Sequence, residues 1–392
     1  MRTRIKIKSD VNTFVREEFI RALQDIDPNS SPGCCEMKVY GTTNRECLGI
    51  QGGPEGRYMD PVRVEALYRM VIGRIQNLFE GNYVSDNLLT FVKDEPTKLS
   101  KIETKRWRLI SGVSLVDTMV DRILLQFLFE QYMDRLGTTP VAIGWNPYTS
   151  AYLFSIVMTP SEPKKVHPQY VAMDKSCWDW TVQTWLLDAI MQVFIGAVVE
   201  PPDWWVYLLK TRFYCLFEAP TFEFQDGFTI KQKEPGIMKS GCYMTLMANS
   251  IAQVLLDSLC AQAAKIDVHY PFWCCGDDTI QMLPSDFRQL VDYINAMERY
   301  SYNLKVSYHD EAEFVGSIMT RKGPVPAYQA KHCWLLQRLT LKPEDQIATL
   351  RSYQIMYANE PEVLAKIRGL IDKWNIPEAY ITAEELRELQ QS

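Results

Sequence analysis

Phe272-Trp273-Cys274-Cys275-Gly276-Asp277-Asp278-Thr279-Ile280-Gln281-Met282 holds two short apolar or β-prone runs separated by a Gly/Asp turn, the pattern of a β-hairpin. Such a turn carries Asp277 and Asp278 beyond the strand ends, where hard cations can reach them. Carboxylates placed side by side repel and resist burial, so the arrangement calls for divalent ions that neutralise them. A second acidic pair, Asp174 and Asp179, stands upstream. Together the acids read as a two-metal phosphoryl-transfer site, in which ions about 3.5–4 Å apart clamp the attacking and leaving oxygens.

Residues 169–174 alternate in the manner of a strand that ends on Asp174, and Asp179 opens the helix that follows. The spacing assigns two jobs: Asp174 joins the Gly-Asp-Asp turn at the metals, while Asp179 faces a substrate sugar. Taken alone, Asp179 serves equally well as a partner for the helix dipole. In Ser240-Gly241-Cys-Tyr-Met-Thr245-Leu-Met-Ala-Asn249, Gly241, Thr245 and Asn249 recur every four residues and are expected on one face of a helix over 241–264. Buried hydroxyl and amide groups there need hydrogen-bond partners, from a ligand or from neighbouring backbone. Individually, Ser240 is also a plain helix cap and Asn249 a satisfied core amide.

A basic strip, Lys93, Lys98, Lys101, Lys105, Arg106 and Arg108, is interleaved with Asp94, Glu95 and Glu103. Lys and Arg are the usual clamps on phosphoryl oxygens, whereas a solvated charged face is the ordinary explanation of such a run. Trp107, Leu109 and Ile110 imply that part of the strip packs inside. Lys305, on an expected strand over 303–307, is a candidate general acid for a leaving pyrophosphate.

The formal charge of −6 argues against a protein that coats nucleic acid by charge alone, so the basic strip matters by its location. Arg2, Arg4, Lys6 and Lys8 form a second, smaller one, and the segment from 341 onward is acidic. Hydrophobic residues at 47% and aromatics at 12% exclude disorder and allow a large core. Ten cysteines without a CxxC pair and four scattered histidines give no zinc spacing and no disulfide framework, which predicts a reducing, intracellular setting. No signal-like segment or membrane span is expected, and no P-loop is present.

Helices are expected over 61–80, 115–136, 150–157, 186–198 and 286–301, and through most of 345–392. A hairpin is expected around Asp226-Gly227, a turn-rich stretch at 51–56, and a strand over 313–319. Strands and helices that do not alternate regularly predict an α+β layout with a small antiparallel sheet at its centre.

Taken in order, these segments resemble the RNA-dependent RNA polymerases of positive-strand RNA viruses, most closely the sobemovirus, polerovirus and barnavirus-like group, over roughly residues 45–335. The strip ending Arg108-Leu-Ile is similar to that family's finger motif, Asp174–Asp179 to its first palm motif, Ser240-Gly241 with Thr245 and Asn249 to its second, Gly276-Asp277-Asp278 to its third and Lys305 to its fourth. Phe314-Val-Gly-Ser317 resembles the primer-grip hairpin. The resemblance implies a right-hand fold of fingers, palm and thumb with a small antiparallel palm sheet flanked by helices. Fingers would occupy 1–165 and 182–235, palm 166–181 and 236–335, and a short helical thumb 336–392.

It further implies Asp174, Asp277 and Asp278 as ligands of Mg²⁺, for which Mn²⁺ substitutes. Lys93, Lys105, Arg106 and Arg108 would hold the triphosphate. Asp179, Ser240, Thr245 and Asn249 would line the nucleotide site, and Asp179, with Ser240 and Asn249, would sense the ribose 2′-hydroxyl. The implied partners are template and nascent RNA, ribonucleoside triphosphates, a viral protein primer and other replication proteins, in a replication complex of the host cytoplasm. Polar Asp179 and Asn249 favour an RNA product over the DNA product of a reverse transcriptase. A non-catalytic RNA-binding scaffold of the same shape would show a missing metal ligand, and all three acids are present. A nuclease or phosphatase would need neither the basic strip nor the polar helix face.

Overall fold

The computed structural model describes residues 6–7, 10–52, 57–158, 170–266, 271–282, 286–341 and 345–391. The basic residues Arg2, Arg4 and Lys8, Gln169 of the expected strand, and residues 53–56 of the turn-rich stretch lie outside them. Contacts divide the chain into two compact units, Met1–Asp134 with Cys177–Ala252, and Arg135–Ser176 with Gln253–Ser392. The strands, in chain order, are β1 (Leu88–Val92), β2 (Leu109–Gly112), β3 (Tyr170–Lys175), β4 (Thr221–Phe224), β5 (Thr229–Lys231), β6 (Phe272–Cys275), β7 (Asp278–Met282), β8 (Leu304–His309), β9 (Ala312–Phe314), β10 (Ser317–Thr320) and β11 (Gly323–Pro326).

The first unit is built on the helix Leu115–Met133, capped by the Ser114 hydroxyl, which accepts from the Asp117 amide. The expected repeat Leu115, Met119, Ile123, Phe127 is buried, but so are Asp117, Asp121 and Gln126 on its other faces. A helix enclosed on all sides must satisfy its acids internally. Arg212, from the helix Asp203–Phe217, does so with Nε at 2.7 Å from Asp121 and Nη1 at 3.3 Å from Asp117. Arg74, from the helix Pro61–Phe79, joins Asp117 at 2.6 Å to Asp86 at 2.9 Å. Trp205, also fully buried, donates its indole N–H to the Leu124 carbonyl.

Beside these helices lies the sheet β2-β1-β4-β5. Its β4–β5 pair is the hairpin expected around Asp226-Gly227. Its β1–β4 pair is parallel, so the expectation of one central antiparallel sheet is corrected to three small sheets among the described residues, one of them mixed and two antiparallel. Strands so far apart in the chain carry no local signal of their pairing.

In the second unit β6-β7-β3-β8 form a four-stranded antiparallel sheet and β11-β10-β9 a three-stranded one. Trp145, Trp273 and Phe314 make a tight aromatic core, with centroids 5.0–6.0 Å apart. A separate cluster holds the C-terminal helices Gln346–Met356 and Pro361–Trp374 through Leu350, Tyr353, Ile367 and Ile371. The single strand expected over 313–319 is instead a hairpin. Val315 and Gly316 both take positive φ, +50° and +70°, as the two centre residues of a type I′ turn do. Among the described residues no helix is long and apolar enough to cross a membrane.

Removing the buried cation tests the ion network. Arg212→Met leaves fully buried Asp121 without its cation and is expected to lower the unfolding free energy by about 3–5 kcal/mol, read as a lower urea midpoint with unchanged slope. Adding Asp121→Leu should recover most of that loss; no recovery would mean that Arg212 acts through packing alone.

Candidate active site

The hairpin that presents the acids forms as its sequence dictates. Cys275 pairs with Asp278, leaving Gly276-Asp277 as a two-residue turn with Gly276 at φ +65°, a conformation glycine adopts freely. Phe272, Trp273 and Cys274 on one side and Thr279–Met282 on the other are buried, so the hairpin's body is anchored while Asp277 and Asp278 project from its end, the Asp278 carboxyl itself partly desolvated.

The neighbouring strand β3 pairs with β7 through Ala172 and Ile280. Continued two residues further, that register sets Asp174 level with Asp278, on the same face. On the other side Asp174 stands opposite Lys305 of β8, whose ammonium lies 3.4 Å from the Asp174 carboxylate. Both side chains of that pair are well exposed, so it is a weak, easily exchanged contact.

Asp278 is constrained more firmly. Its carboxylate accepts from the Val315 amide at 2.7 Å, at the tip of the β9–β10 hairpin. Desolvation is the main force that pushes its carboxyl up to about 6; the charges of Asp277 and Glu313 add to the rise and the Val315 amide partly offsets it. Sequence reasoning missed Glu313 in this role. It also missed Lys175, which follows Asp174 on β3 and faces the opposite, buried side with Val171 and Met173. Burial pulls the Lys175 ammonium down to about 8, against the pull of Cys260, Asp277, Cys274 and Asp174. Strand alternation was the available signal: a Lys adjacent to an exposed Asp at a strand end must face inward.

The donor set suits a hard divalent cation, since all three acids offer carboxylate oxygens at the ends of the central strands β3 and β7. Among the described residues no three Asp, Glu, His or Cys side chains are gathered into a closed cage. Mg²⁺ is ordinarily held in that way, by one or two carboxylates together with substrate phosphates.

The first unit holds the other predicted residues. Asp179 lies in the short helix Trp178–Thr181. Asn249, in the helix Thr245–Ala263, donates to the Asp179 carboxylate at 3.2 Å and accepts from the Trp178 indole at 2.9 Å. The amide is therefore oriented from both ends. Gly241 does not share that helix face, which corrects the expected helix start at 241. It precedes the helix with φ +123°, and a Cβ there would meet the Ser111 carbonyl at 2.8 Å. Ser240 consequently caps nothing; its carbonyl accepts from the Ser111 amide at 2.7 Å. Thr245 directs its hydroxyl to the Lys239 and Cys242 carbonyls at 2.6 and 2.9 Å.

The basic strip leads into the same place, because β2 follows it and reaches Ser240 through Ser111. The strip contains a short helix, Leu99–Glu103, and is more exposed than its composition suggested. Trp107 is 45% exposed, so the expected inward packing is corrected to half-burial of Leu109 and Ile110 alone. Lys93 and Arg108 converge on Glu95 at 3.2 and 3.6 Å, and the Lys93 amide donates to the Arg108 carbonyl at 2.8 Å. Lys105 takes a left-handed turn, and Arg106 Nε donates to the Thr104 hydroxyl.

The profile of the viral RNA-dependent RNA polymerases matches residues 49–322, well over half of the chain. The chain belongs to that family. Replicase polyprotein P2AB of Cocksfoot mottle virus is 33% identical over 200 residues, 50% of this chain and 20% of that protein. Protein P1-P2 of Potato leafroll virus is 26% identical over 275 residues, 64% of this chain and 24% of that protein. The RNA-directed RNA polymerase of Mushroom bacilliform virus is 28% identical over 222 residues, 55% and 51% of the two chains. This polymerase-family chain thus matches between a fifth and about half of the length of these relatives, which fall in the group its motifs resemble.

The raised Asp278 pKa gives a stability prediction. A carboxyl raised in the fold contributes fully below its ordinary value, near 4, and loses that contribution as pH rises through about 6. With divalent ions chelated, Asp278→Asn should melt with wild type at low pH and above it at neutral pH, by on the order of 1–2 °C after allowing for solvent screening. A wild type that melts higher than the variant at neutral pH in chelator contradicts the assignment.

Proposed function

We propose that the chain is an RNA-directed RNA polymerase that replicates and transcribes a viral RNA genome by two-metal nucleotidyl transfer from ribonucleoside triphosphates. The observation that carries the reading is the β3–β7 register, whose last pair, Ala172 with Ile280, lies two residues short of both Asp174 and Asp278 and sets them on the same face, beside a turn that presents Asp277. Asp174, Asp277 and Asp278 are the residues that would hold Mg²⁺, or Mn²⁺ in its place. Such ions, when bound, make the primer 3′-hydroxyl more acidic and neutralise charge on the triphosphate. Lys305, exposed and loosely paired, donates a proton to the leaving pyrophosphate.

Lys93, Lys105, Arg106 and Arg108 bind the triphosphate, with phosphate oxygens replacing the Glu95 carboxylate at Lys93 and Arg108. Asp179, oriented by Asn249, accepts a hydrogen bond from the ribose 2′-hydroxyl, with Ser240 beside it. Thr245 acts on the nucleotide indirectly, by holding the loop that carries Ser240. In this reading residues 1–165 and 182–235 are fingers, 166–181 and 236–335 palm, and 336–392 a short thumb. Template and nascent RNA are the macromolecular partners. Further replication proteins, a protein primer among them, and a replication complex in the host cytoplasm complete the assignment.

Asp277→Ala is expected to reduce nucleotide incorporation by about 10³-fold or more, the scale of losing preorganised charge at a transition state, while RNA binding survives in a filter assay. Synthesis retained in that variant sinks the proposal. Asp179→Ala should narrow the preference for ribo- over deoxynucleotides by about tenfold or more; an unchanged preference removes Asp179 from the sugar site.

A further inference from the structure

Lys239 has no exposed surface. Its ammonium donates to the carbonyls of Gly236 at 3.1 Å and Ile237 at 2.6 Å. It also faces the rings of Phe217 and Phe222, at 5.4 and 5.8 Å from their centroids. Among the described residues no carboxylate pairs with it, and loss of solvation pulls its pKa down to about 7. A buried cation without a counter-ion is unfavourable, so an apolar side chain of equal length would serve a merely structural purpose better.

What the lysine holds is unusual backbone. Ile237 sits at φ +61°, a left-handed conformation that is a genuine outlier for a β-branched residue. Gly236 before it has φ +119°, and a Cβ there would lie 2.7 Å from the Val182 carbonyl. With the carbonyls of residues 236 and 237 drawn to Lys239, the next amides are committed elsewhere. Ile237 N–H donates to the Val182 carbonyl at 2.9 Å and Met238 N–H to the Asp179 carbonyl at 2.7 Å. The adjoining residue is Ser240. The Gln232 amide also donates to the Gly236 carbonyl, at 3.1 Å, and Lys239 adds the hold on the Ile237 carbonyl, so that together they close the loop that fixes the backbone of Asp179 on one side and leads to Ser240 on the other.

We propose that Lys239 is a positioning residue for sugar selection: by holding residue 237 left-handed it fixes Asp179 and Ser240 where a ribose 2′-hydroxyl is recognised. The proposal rests on the ribose-sensing reading of Asp179 given above. The lysine acts through hydrogen bonds to the loop and touches no substrate.

The test compares, in the full chain, the ratio of kcat/KM for a ribonucleoside triphosphate to that for its 2′-deoxy analogue. Lys239→Met matches the side chain's length but cannot donate, and is expected to lower the ratio by about tenfold or more, the scale of a misplaced recognition group. Adding Ile237→Gly should restore the ratio toward wild type, because glycine takes positive φ without steric cost. A wild-type ratio in Lys239→Met, alongside a reduced ratio in Asp179→Ala, overturns the proposal alone. A wild-type ratio in Asp179→Ala overturns the sugar reading, and the proposal with it. If Lys239→Met does not fold, the double variant decides: a folded protein with a near wild-type ratio supports positioning, and one that fails to fold or to recover the ratio overturns it.

Discussion

Asp278 is held where two other acids face it, Asp277 beside it in the chain and Glu313 on β9, and where burial already disfavours its charge. That repulsion is the constraint the ends of β3 and β7 must meet. Such strand ends tolerate acids only if something compensates, and the fold offers partial compensation from several directions. The Val315 amide binds Asp278, Lys305 stands across from Asp174, and Lys175 lies under the strand end with its own charge disfavoured. None of these neutralises the group fully. Under the proposed function, that deficit is what would draw hard cations, and the phosphates they accompany, to these strand ends.

The first unit solves a different problem, the exact aiming of neutral and singly charged groups. Asn249 is fixed at both ends of its amide, by Trp178 and Asp179. The loop from Gly236 to Gly241 carries two glycines and one isoleucine at positive φ; glycine takes that conformation freely, but at Ile237 it persists only where surroundings over-determine it. The strain lies next to the groups proposed to recognise the sugar. Behind them the enclosed ion network of Asp117, Asp121, Arg74 and Arg212 supplies rigidity that apolar packing alone would leave less specific.

The hairpin at Gly276 was legible because a two-residue turn is encoded locally: apolar runs, a glycine and two acids leave few alternatives. The strand ending near Asp174 and the helices over 61–79 and 115–133 followed from periodicity for the same reason. Gly241 was misjudged because four-residue spacing looks the same whether the helix has begun or not; its φ depends on the close approach of Ser111. The inward packing that an aromatic residue suggests fails at Trp107, which is 45% exposed, because its place is set by tertiary surroundings and not by local composition. Lys175 and Lys239 were passed over since a lysine announces charge, while its burial is decided by distant strands and rings. The parallel β1–β4 pairing was invisible for the same reason.

The most direct test of the account is incorporation of labelled ribonucleotide by the full chain on a polynucleotide template, titrated with Mg²⁺ and with Mn²⁺ against chelator. Template-dependent synthesis is expected to vanish in chelator and to return with either ion. Binding of RNA without incorporation at any concentration of either ion would contradict it.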